Sequence, residues 1–259
     1  ETKNLPIGLF DSGVGGLTIW KEIHQLLPNE STIYLADSFN APYGIKSKEE
    51  IISLSKKNVD FLIEKGVKLI VVACNTPTTN AISELRELYS IPIIGLEPAI
   101  KPAVLNSKTK SIGVLATKGT LLSDKFKHAM SLYSDIVFVE QIGYNLVQLI
   151  ENGKINSEEM HQLLLEYINP MLKQNVDHIV LGCTHYPFLK EHIKNLIPDN
   201  VVVLDSGLAV ANRVEQLLVE NNLLIEKEVE SHWEFYINTD SHVMSSLLEH
   251  KYPIRETNF

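Results

Sequence analysis

The chain has 259 residues, 44% hydrophobic and 21% charged, which suits a globular protein of one large domain or two smaller ones. Its formal net charge is −9, and no run of Lys and Arg offers the basic patch that nucleic acid or an anionic membrane surface requires. Its longest apolar runs, such as Leu69–Cys74, fall well short of the roughly 20 residues of a spanning helix, so neither nucleic acid nor a membrane is an expected partner.

The N-terminal segment, residues 1–6, is polar and has no apolar signal core, so we expect a cytoplasmic protein. The two cysteines of such a protein are not expected to form a structural disulfide. They remain candidates for buried filler, metal ligands, a redox pair or catalytic thiols. The sequence does not fix the oligomeric state, and a homodimer is one possible assembly.

Short apolar runs rich in Ile and Val alternate with amphipathic stretches along the chain. Because most of these runs show little polar–apolar alternation, they are typical of strands buried on both faces of a parallel sheet. The predicted strands are Ile7–Phe10, Thr32–Ala36, Leu69–Ala73, Pro92–Gly95, Ser111–Ala116, Ile136–Val139, His178–Gly182 and Val201–Asp205.

Stretches with helical periodicity separate these strands, and strand–helix alternation predicts a parallel α/β fold. One apolar stripe is formed by Leu17, Trp20, Ile23 and Leu27, and another by Ala81, Ile82, Leu85 and Leu88.

The chain contains an internal repeat. Val67–Thr76 resembles Val176–His185, and Ile7–Ser12 resembles Ile112–Thr117 in the same order. Each half is therefore predicted to be a four-stranded unit with its cysteine just beyond its third strand. Ligands of open parallel sheets bind outside the carboxyl ends of strands, so two facing units would present one thiol to each side of a shared ligand.

The repeat predicts two similar parallel-sheet α/β domains related by pseudo-two-fold symmetry, with the active site in the cleft between them. The predicted first domain comprises residues 1–97 and 208–259, and the second comprises 98–207. Because Pro98–Val202 already forms one repeat unit, we expect the tail, with a strand near Phe235–Ile237, to pack back on the first half.

Cys74 is followed by two polar residues and by Pro77, which is predicted to lie near the start of a helix. A helix N-terminus stabilises negative charge, which favours a thiolate and the binding of a carboxylate. Cys183 has the same context, a strand, two polar residues and then Pro187, and Gly182 is expected to let a ligand approach the backbone.

Two other roles stay open for Cys183 and its neighbour His185. The first is metal binding. These two residues are too few for a structural zinc site, which needs four ligands, and Cys-x-x-Cys spacing is absent. A nucleophilic Cys–His pair is the second alternative, and it leaves Cys74 without a role.

The first predicted strand is followed by Asp11, Ser12 and a glycine-rich turn, Gly13–Gly16. The turn does not complete a Gly-x-Gly-x-x-Gly motif and no Walker lysine follows, so we interpret it as a tight strand–helix turn that requires positive φ. Asp37 and Pro42–Gly44 follow the second strand and are predicted to lie at the same sheet edge.

At these residues the chain resembles the glutamate racemase family of the aspartate/glutamate racemase superfamily. Pro77 stands where the family usually has Ala, and Gly143-Tyr144 replaces a more usual Cys-Pro. Residues 235–240 are similar more loosely. The matching segments are Phe10–Thr18, Pro42–Gly44, Ala73–Thr76, Gly113–Thr117 and Leu181–Pro187.

The resemblance implies interconversion of L- and D-glutamate, the source of D-glutamate for peptidoglycan. By similarity, Cys74 deprotonates D-glutamate and Cys183 deprotonates L-glutamate. Asp11, Asp37, Glu151 and His185 match auxiliary acid/base positions. The matching substrate-binding positions are Asp11, Ser12, Pro42, Tyr43, Gly44, Asn75, Thr76, Thr117, Thr184 and His185.

Two fixed thiols remove and add the Cα proton on opposite faces without any group having to move. No cofactor is expected, because neither a pyridoxal lysine nor a phosphate cradle is identifiable, and no metal is expected either. Three alternatives remain: an aspartate or broad-specificity racemase, a two-domain binding protein without chemistry, and a cysteine hydrolase built on Cys183 and His185.

Overall fold

The computed structural model describes residues 1–226 and 229–259. Each of the eight predicted strands corresponds to an observed strand, and two more follow in the tail. The strands are β1 (Ile7–Asp11), β2 (Thr32–Ala36), β3 (Leu69–Val72), β4 (Ile93–Ile94), β5 (Ser111–Ala116), β6 (Val137–Ile142), β7 (His178–Gly182), β8 (Val202–Leu204), β9 (Trp233–Ile237) and β10 (Ile254–Glu256).

Helices occupy the intervals between strands, and both apolar stripes predicted from the sequence are helical. The α-helices are α1 (Leu17–Leu26), α2 (Lys48–Glu64), α3 (Asn75–Asn80), α4 (Ile82–Leu88), α5 (Ile100–Asn106), α6 (Lys118–Leu121), α7 (Asp124–Ser131), α8 (Leu146–Glu151), α9 (Glu158–Lys173), α10 (Lys190–Lys194), α11 (Gly207–Glu220) and α12 (His242–Leu247). Short 3-10 turns lie at Thr2–Asn4, Ser38–Asn40, Tyr43–Ile45 and Tyr186–Leu189.

The chain divides into two compact units, one formed by Glu1–Leu96 with Gly207–Phe259 and the other by Glu97–Ser206. Unit 1 holds a sheet of order β10-β9-β2-β1-β3-β4, and unit 2 holds a sheet of order β6-β5-β7-β8. All strand pairs are parallel. The fold class predicted from the sequence, two parallel-sheet α/β domains, is confirmed.

The internal repeat corresponds to a shared strand order, because β2-β1-β3-β4 and β6-β5-β7-β8 follow the same chain path. In unit 1, β2-β1-β3-β4 forms the predicted four-stranded unit, and the predicted tail strand adds to it. It is extended by β9, which pairs with β2, and by β10, which pairs with β9. The sequence pattern of β10 is too short and too exposed to predict a strand.

Central strands are buried along their whole length, as β1, β3, β5 and β7 illustrate. In unit 2, Ile112, Val114 and Ala116 of β5 contact the cluster that includes α5 and α7, whereas Leu115 contacts the cluster that includes α8 and α9. Successive side chains point to opposite faces of a strand, so a strand covered on both sides must be apolar throughout. The edge strands β6 and β8 are partly exposed.

Local signals in the sequence fix several helix starts. Ser47 and Glu50 form a capping box at the start of α2, and Ser157 caps α9 by accepting a hydrogen bond from Met160 N. None of the helices in the described ranges is long and apolar enough to cross a membrane.

Candidate active site

Cys74 lies at the carboxyl edge of the unit 1 sheet, two residues beyond the end of β3. It is the N-cap residue of α3, and the residue as a whole is 8% exposed. Its carbonyl oxygen accepts hydrogen bonds from Thr78 Oγ1 (2.8 Å) and Thr78 N (3.3 Å). Helix α3 begins at Asn75, so Pro77 lies in its first turn rather than at its start.

Ser12 follows the neighbouring strand β1 and brings its hydroxyl to the same place. Its Oγ lies 3.6 Å from Cys74 Sγ. The juxtaposition follows from the sheet, since Ala73 N donates to Phe10 O (2.8 Å) where the two strands end. Asp11 is fully buried, and its Oδ2 accepts the Gly16 N–H (2.8 Å) across the turn.

The glycine-rich turn does not require positive φ, contrary to the sequence-based interpretation. Gly66 and Gly153 are the glycines with positive φ in the described chain, and Gly16 has φ −62°. The constraint at Gly16 is space, because a Cβ there would lie 2.7 Å from Tyr34 Oη and 2.8 Å from Asp11 Cβ. Tyr34 in turn donates its hydroxyl proton to Gly13 O (2.9 Å).

Tyr43 is a buried phenol in the loop after β2. It donates to the carboxylate of Asp37 in a short hydrogen bond and accepts a hydrogen bond from Asn58 Nδ2 (2.9 Å). Burial and the adjacent Asp37 carboxylate raise the pKa of Tyr43 far above 10, and charge on Cys74 acts in the same direction. Tyr43 is therefore neutral, and its proton is donated to Asp37.

The rest of the predicted set in unit 1 surrounds the same edge. Pro42 follows a cis peptide bond with Ala41, and Gly44 is close to α3, since a Cβ at this position would lie 3.8 Å from Thr76 Oγ1. Thr76 is buried, and Asn75 is partly exposed in the first turn of α3. The fold thus gathers seven further predicted residues around Cys74: Asp11, Ser12, Asp37, Tyr43, Gly44, Asn75 and Thr76.

Cys183 occupies the equivalent place in unit 2, directly after β7, and is 7% exposed. Its Sγ lies 3.7 Å from His185 Nδ1, and His185 Nε2 lies 2.5 Å from Glu151 Oε1. Glu151 is the last residue of α8. Although Gly143-Tyr144 departs from the usual Cys-Pro, the segment that follows brings Glu151 to His185.

The electrostatics of His185 depend on these two partners. Burial acts to lower its pKa, but the hydrogen bonds and charges of Cys183 and Glu151 outweigh it and raise the pKa of His185 well above 6.5. A protonated His185 donates from both ring nitrogens, one towards the thiol and one towards the carboxylate. A protonated ring therefore stands beside the thiol of Cys183.

The structure adds packing detail at three residues of unit 2. Gly182 is needed for strand packing, because a Cβ there would lie 2.7 Å from Ala116 Cβ on β5. Thr117 caps α6, with its hydroxyl accepting from Thr120 N (3.3 Å), and Thr184 is buried beside Cys183.

Several residues that contact these groups were not singled out from the sequence. Tyr186 is fully buried and donates to Gly143 O (3.3 Å), and a Cβ at Gly143 would lie 2.3 Å from its hydroxyl, which accounts for glycine there. Asn58, Lys57 and Asn238 contact Tyr43 or Asp37. Asn238 falls in residues 235–240, which resemble the family loosely, and Tyr186 falls in the matching segment Leu181–Pro187.

The described part of the chain contains no group of three or more His, Cys, Asp or Glu side chains placed to hold a metal ion. Neither Cys74 nor Cys183 forms a disulfide.

A family model described as Asp/Glu/Hydantoin racemase matches residues 7–214. The glutamate racemase of Herpetosiphon aurantiacus is 48% identical over 223 residues, 86% of this chain and 88% of that protein. The glutamate racemase isoform RacE1 of Bacillus anthracis has a similar structure, with a TM-score of 0.88 and 30% identity, covering 99% of this chain and 98% of that one. That of Francisella tularensis, solved in complex with D-glutamate, has a TM-score of 0.83 and 31% identity, with the same coverage.

The fold, the family match and the relatives define an amino-acid racemase, an isomerase. The chain belongs to the Asp/Glu/Hydantoin racemase family.

Proposed function

We propose that this racemase interconverts L- and D-glutamate and that Cys74 and Cys183 are its two acid/base groups. The observation that carries the proposal is the placement of one buried cysteine, not in a disulfide, beyond the third strand of each repeat, with polar partners at Sγ in both cases. The substrate is supported by the relatives, which are glutamate racemases, and by the D-glutamate in the Francisella structure.

The reaction exchanges one proton for another at Cα. A thiolate removes the Cα proton and becomes a thiol, while the other thiol delivers its proton to the opposite face and becomes a thiolate. Charge and proton count are conserved, and the reverse reaction uses the same groups with their roles exchanged. The mechanism requires both thiols to act on one substrate molecule.

The two sites supply different support for this exchange. At Cys74, Ser12 Oγ lies 3.6 Å from the sulfur, and the phenol of Tyr43, which donates to Asp37, stays neutral. At Cys183, His185, which is held by Glu151, places a protonated ring 3.7 Å from the sulfur. We assign substrate binding to the hydroxyl and backbone groups around each thiol, including Asn75, Thr76 and Thr184, because donors directed at the carboxylate stabilise the carbanion-like transition state.

We further propose that the enzyme works without cofactor or metal, in the cytoplasm, and that its D-glutamate is used for peptidoglycan. Activity that is lost on exhaustive chelation and restored by one metal would contradict the first part.

The test is circular dichroism of purified protein incubated separately with each enantiomer of glutamate and of aspartate. We expect loss of ellipticity with L- and D-glutamate and a far slower change with aspartate. A comparable or faster change with aspartate would identify an aspartate or broad-specificity racemase. Cys74→Ser and Cys183→Ser should each lower kcat/KM in both directions by about 1000-fold or more, since each removes a proton-transfer group.

Deuterated water separates two thiols from a single base. With two thiols, the product enantiomer carries deuterium at Cα from its first formation, whereas the remaining substrate stays protonated at early times. Early transfer of the substrate's own Cα hydrogen into the opposite enantiomer, or full activity of Cys74→Ser, would overturn the two-thiol mechanism.

A further inference from the structure

The Asp37 carboxylate receives hydrogen bonds from four donors in unit 1. Its Oδ1 accepts from Asn238 Nδ2 (2.6 Å), Asn40 Nδ2 (2.8 Å) and Lys57 Nζ (3.3 Å), and its Oδ2 accepts from the Tyr43 hydroxyl. Together these bonds tie the fully buried Asp37 to four neighbouring groups, which suits it to hold them in place.

Two of these donors come from parts of the chain far from the loop they hold. Asn238 follows β9, whose pairing with β2 aligns Ile237 with Ala36. It also accepts the Phe39 N–H through Oδ1 (2.9 Å), so one amide contacts both the Asp37 side chain and the loop backbone. Lys57, on α2, additionally donates to the Phe259 carbonyl (3.1 Å).

The orientation of Tyr43 depends on Asp37. The Asn58 amide nitrogen can only donate, so the Tyr43 oxygen accepts from it and directs its own proton to Asp37. With both bonds in place the ring has one position, and the Pro42–Gly44 backbone, next to Thr76 of α3, is fixed with it.

On the basis of the proposed function, we propose that Asn238 and Lys57 are positioning residues of the reaction. They hold the Asp37 carboxylate, and through it they fix Tyr43 and the Pro42–Gly44 segment, which by family resemblance is a substrate-binding segment. They contact neither thiol. Their loss therefore weakens the binding of substrate and of transition state to the same extent, which raises KM and leaves kcat nearly unchanged.

The first test compares Asn238→Ala and Lys57→Met with the matched control Lys56→Met. Lys56 is the neighbouring exposed lysine on α2. Asn238→Ala should raise KM for both enantiomers about tenfold, equivalent to about 1.4 kcal/mol, because hydrogen bonds to a charged group are strong. Lys57→Met should raise KM about threefold, since its side chain is 33% exposed and its bond is longer. Lys56→Met should leave KM unchanged.

The second test uses Asn238→Asp, which keeps an acceptor for Phe39 N but places a carboxylate against Asp37. At pH 8 the two negative charges repel, and KM should exceed that of Asn238→Ala. At pH 6 the pair shares a proton more readily and the hydrogen bond returns, so the ratio of variant to wild-type KM should fall. Lys57→Arg, which keeps the charge, should restore most of the wild-type KM.

The outcomes separate this inference from the proposed function. A wild-type protein that racemises glutamate, with variants whose KM stays within twofold at both pH values, would overturn the positioning role alone. A fall in kcat with unchanged KM would also overturn it, since that result places Asp37 in the chemical step. A wild-type protein inactive on glutamate contradicts the proposed function. If Asn238→Ala does not fold, Asn238→Asp and Lys57→Met give the same comparison.

Discussion

Replacing Glu151 by Gln removes the negative charge behind His185 and leaves a side chain of the same shape. The amide oxygen still accepts the Nε2–H that Glu151 Oε1 receives at 2.5 Å, so the ring keeps its place beside Cys183. What is lost is the charge that helps to hold the pKa of the buried His185 above its ordinary value. The variant therefore tests the electrostatics of the pair separately from its geometry.

The expected magnitude follows from the strength of a hydrogen bond between charged groups, about 1.5–3 kcal/mol. Since 1.36 kcal/mol corresponds to one pKa unit, the pKa of His185 should fall by about one unit or more. As pH rises, His185 in the variant then loses its positive charge at a lower pH than in the wild type. We expect kcat/KM at pH 8 to fall about ten- to a hundredfold, and the alkaline limb of its pH profile to move to lower pH.

The assay is the initial rate by circular dichroism from pH 6 to 10, started from each enantiomer. Enantiomers have equal free energy, so kcat/KM must fall by the same factor in both directions, which checks the data internally. Glu140→Gln, an exposed carboxylate on β6, controls for the change in net charge. A profile that superimposes on that of the wild type, or a uniform loss without movement of the alkaline limb, would refute the electrostatic role of Glu151.

Gly16→Ala should lower the free energy of unfolding by about 1–3 kcal/mol in urea denaturation, because its Cβ would lie 2.7 Å from Tyr34 Oη in a packed turn; an unchanged midpoint and slope would show that the turn relaxes freely. Asp177→Asn should destabilise the protein at pH 7. Burial acts to raise the pKa of Asp177, but hydrogen bonds from His178, Thr109 N, Ser107 and Lys108 N lower it well below the ordinary carboxyl value. A carboxyl group of this kind stabilises the fold above its unfolded pKa of about 3.9, and the contribution disappears as pH falls through the folded value. The difference between Asp177→Asn and wild type should therefore shrink below pH 4, and a constant difference would contradict this assignment.

The sequence predicts the fold well where burial is strongest. Strands such as β1, β3, β5 and β7 are covered on both faces, so their apolar runs are continuous and their ends are marked by polar residues. The fold class and the family are confirmed. The exposed edge strand β10 carries no comparable pattern, and the sequence does not predict it.

Site residues were predictable where they directly follow a strand, because parallel strands end at one edge of the sheet. Ser12 and Cys74 meet for this reason. Groups that reach the edge from elsewhere were not predictable, and Lys57 in the middle of α2 is an example. The requirement for glycine at position 16 was misjudged because it depends on the position of Tyr34, which is set by a neighbouring strand. The catalytic roles themselves stay predictions.

The two thiols occupy equivalent positions in the repeat but have different surroundings. Cys74 has a hydroxyl at 3.6 Å, whereas Cys183 has a histidine whose pKa is raised well above 6.5. The charged partner therefore stands beside Cys183, the thiol that deprotonates L-glutamate in the proposed mechanism. Equal free energies of the enantiomers constrain only kcat/KM. The unequal surroundings are therefore expected to give different kcat values in the two directions, and KM values that differ by the same factor. Glu151→Gln should reduce this difference, because it lowers the pKa of His185 and so reduces the positive charge beside Cys183.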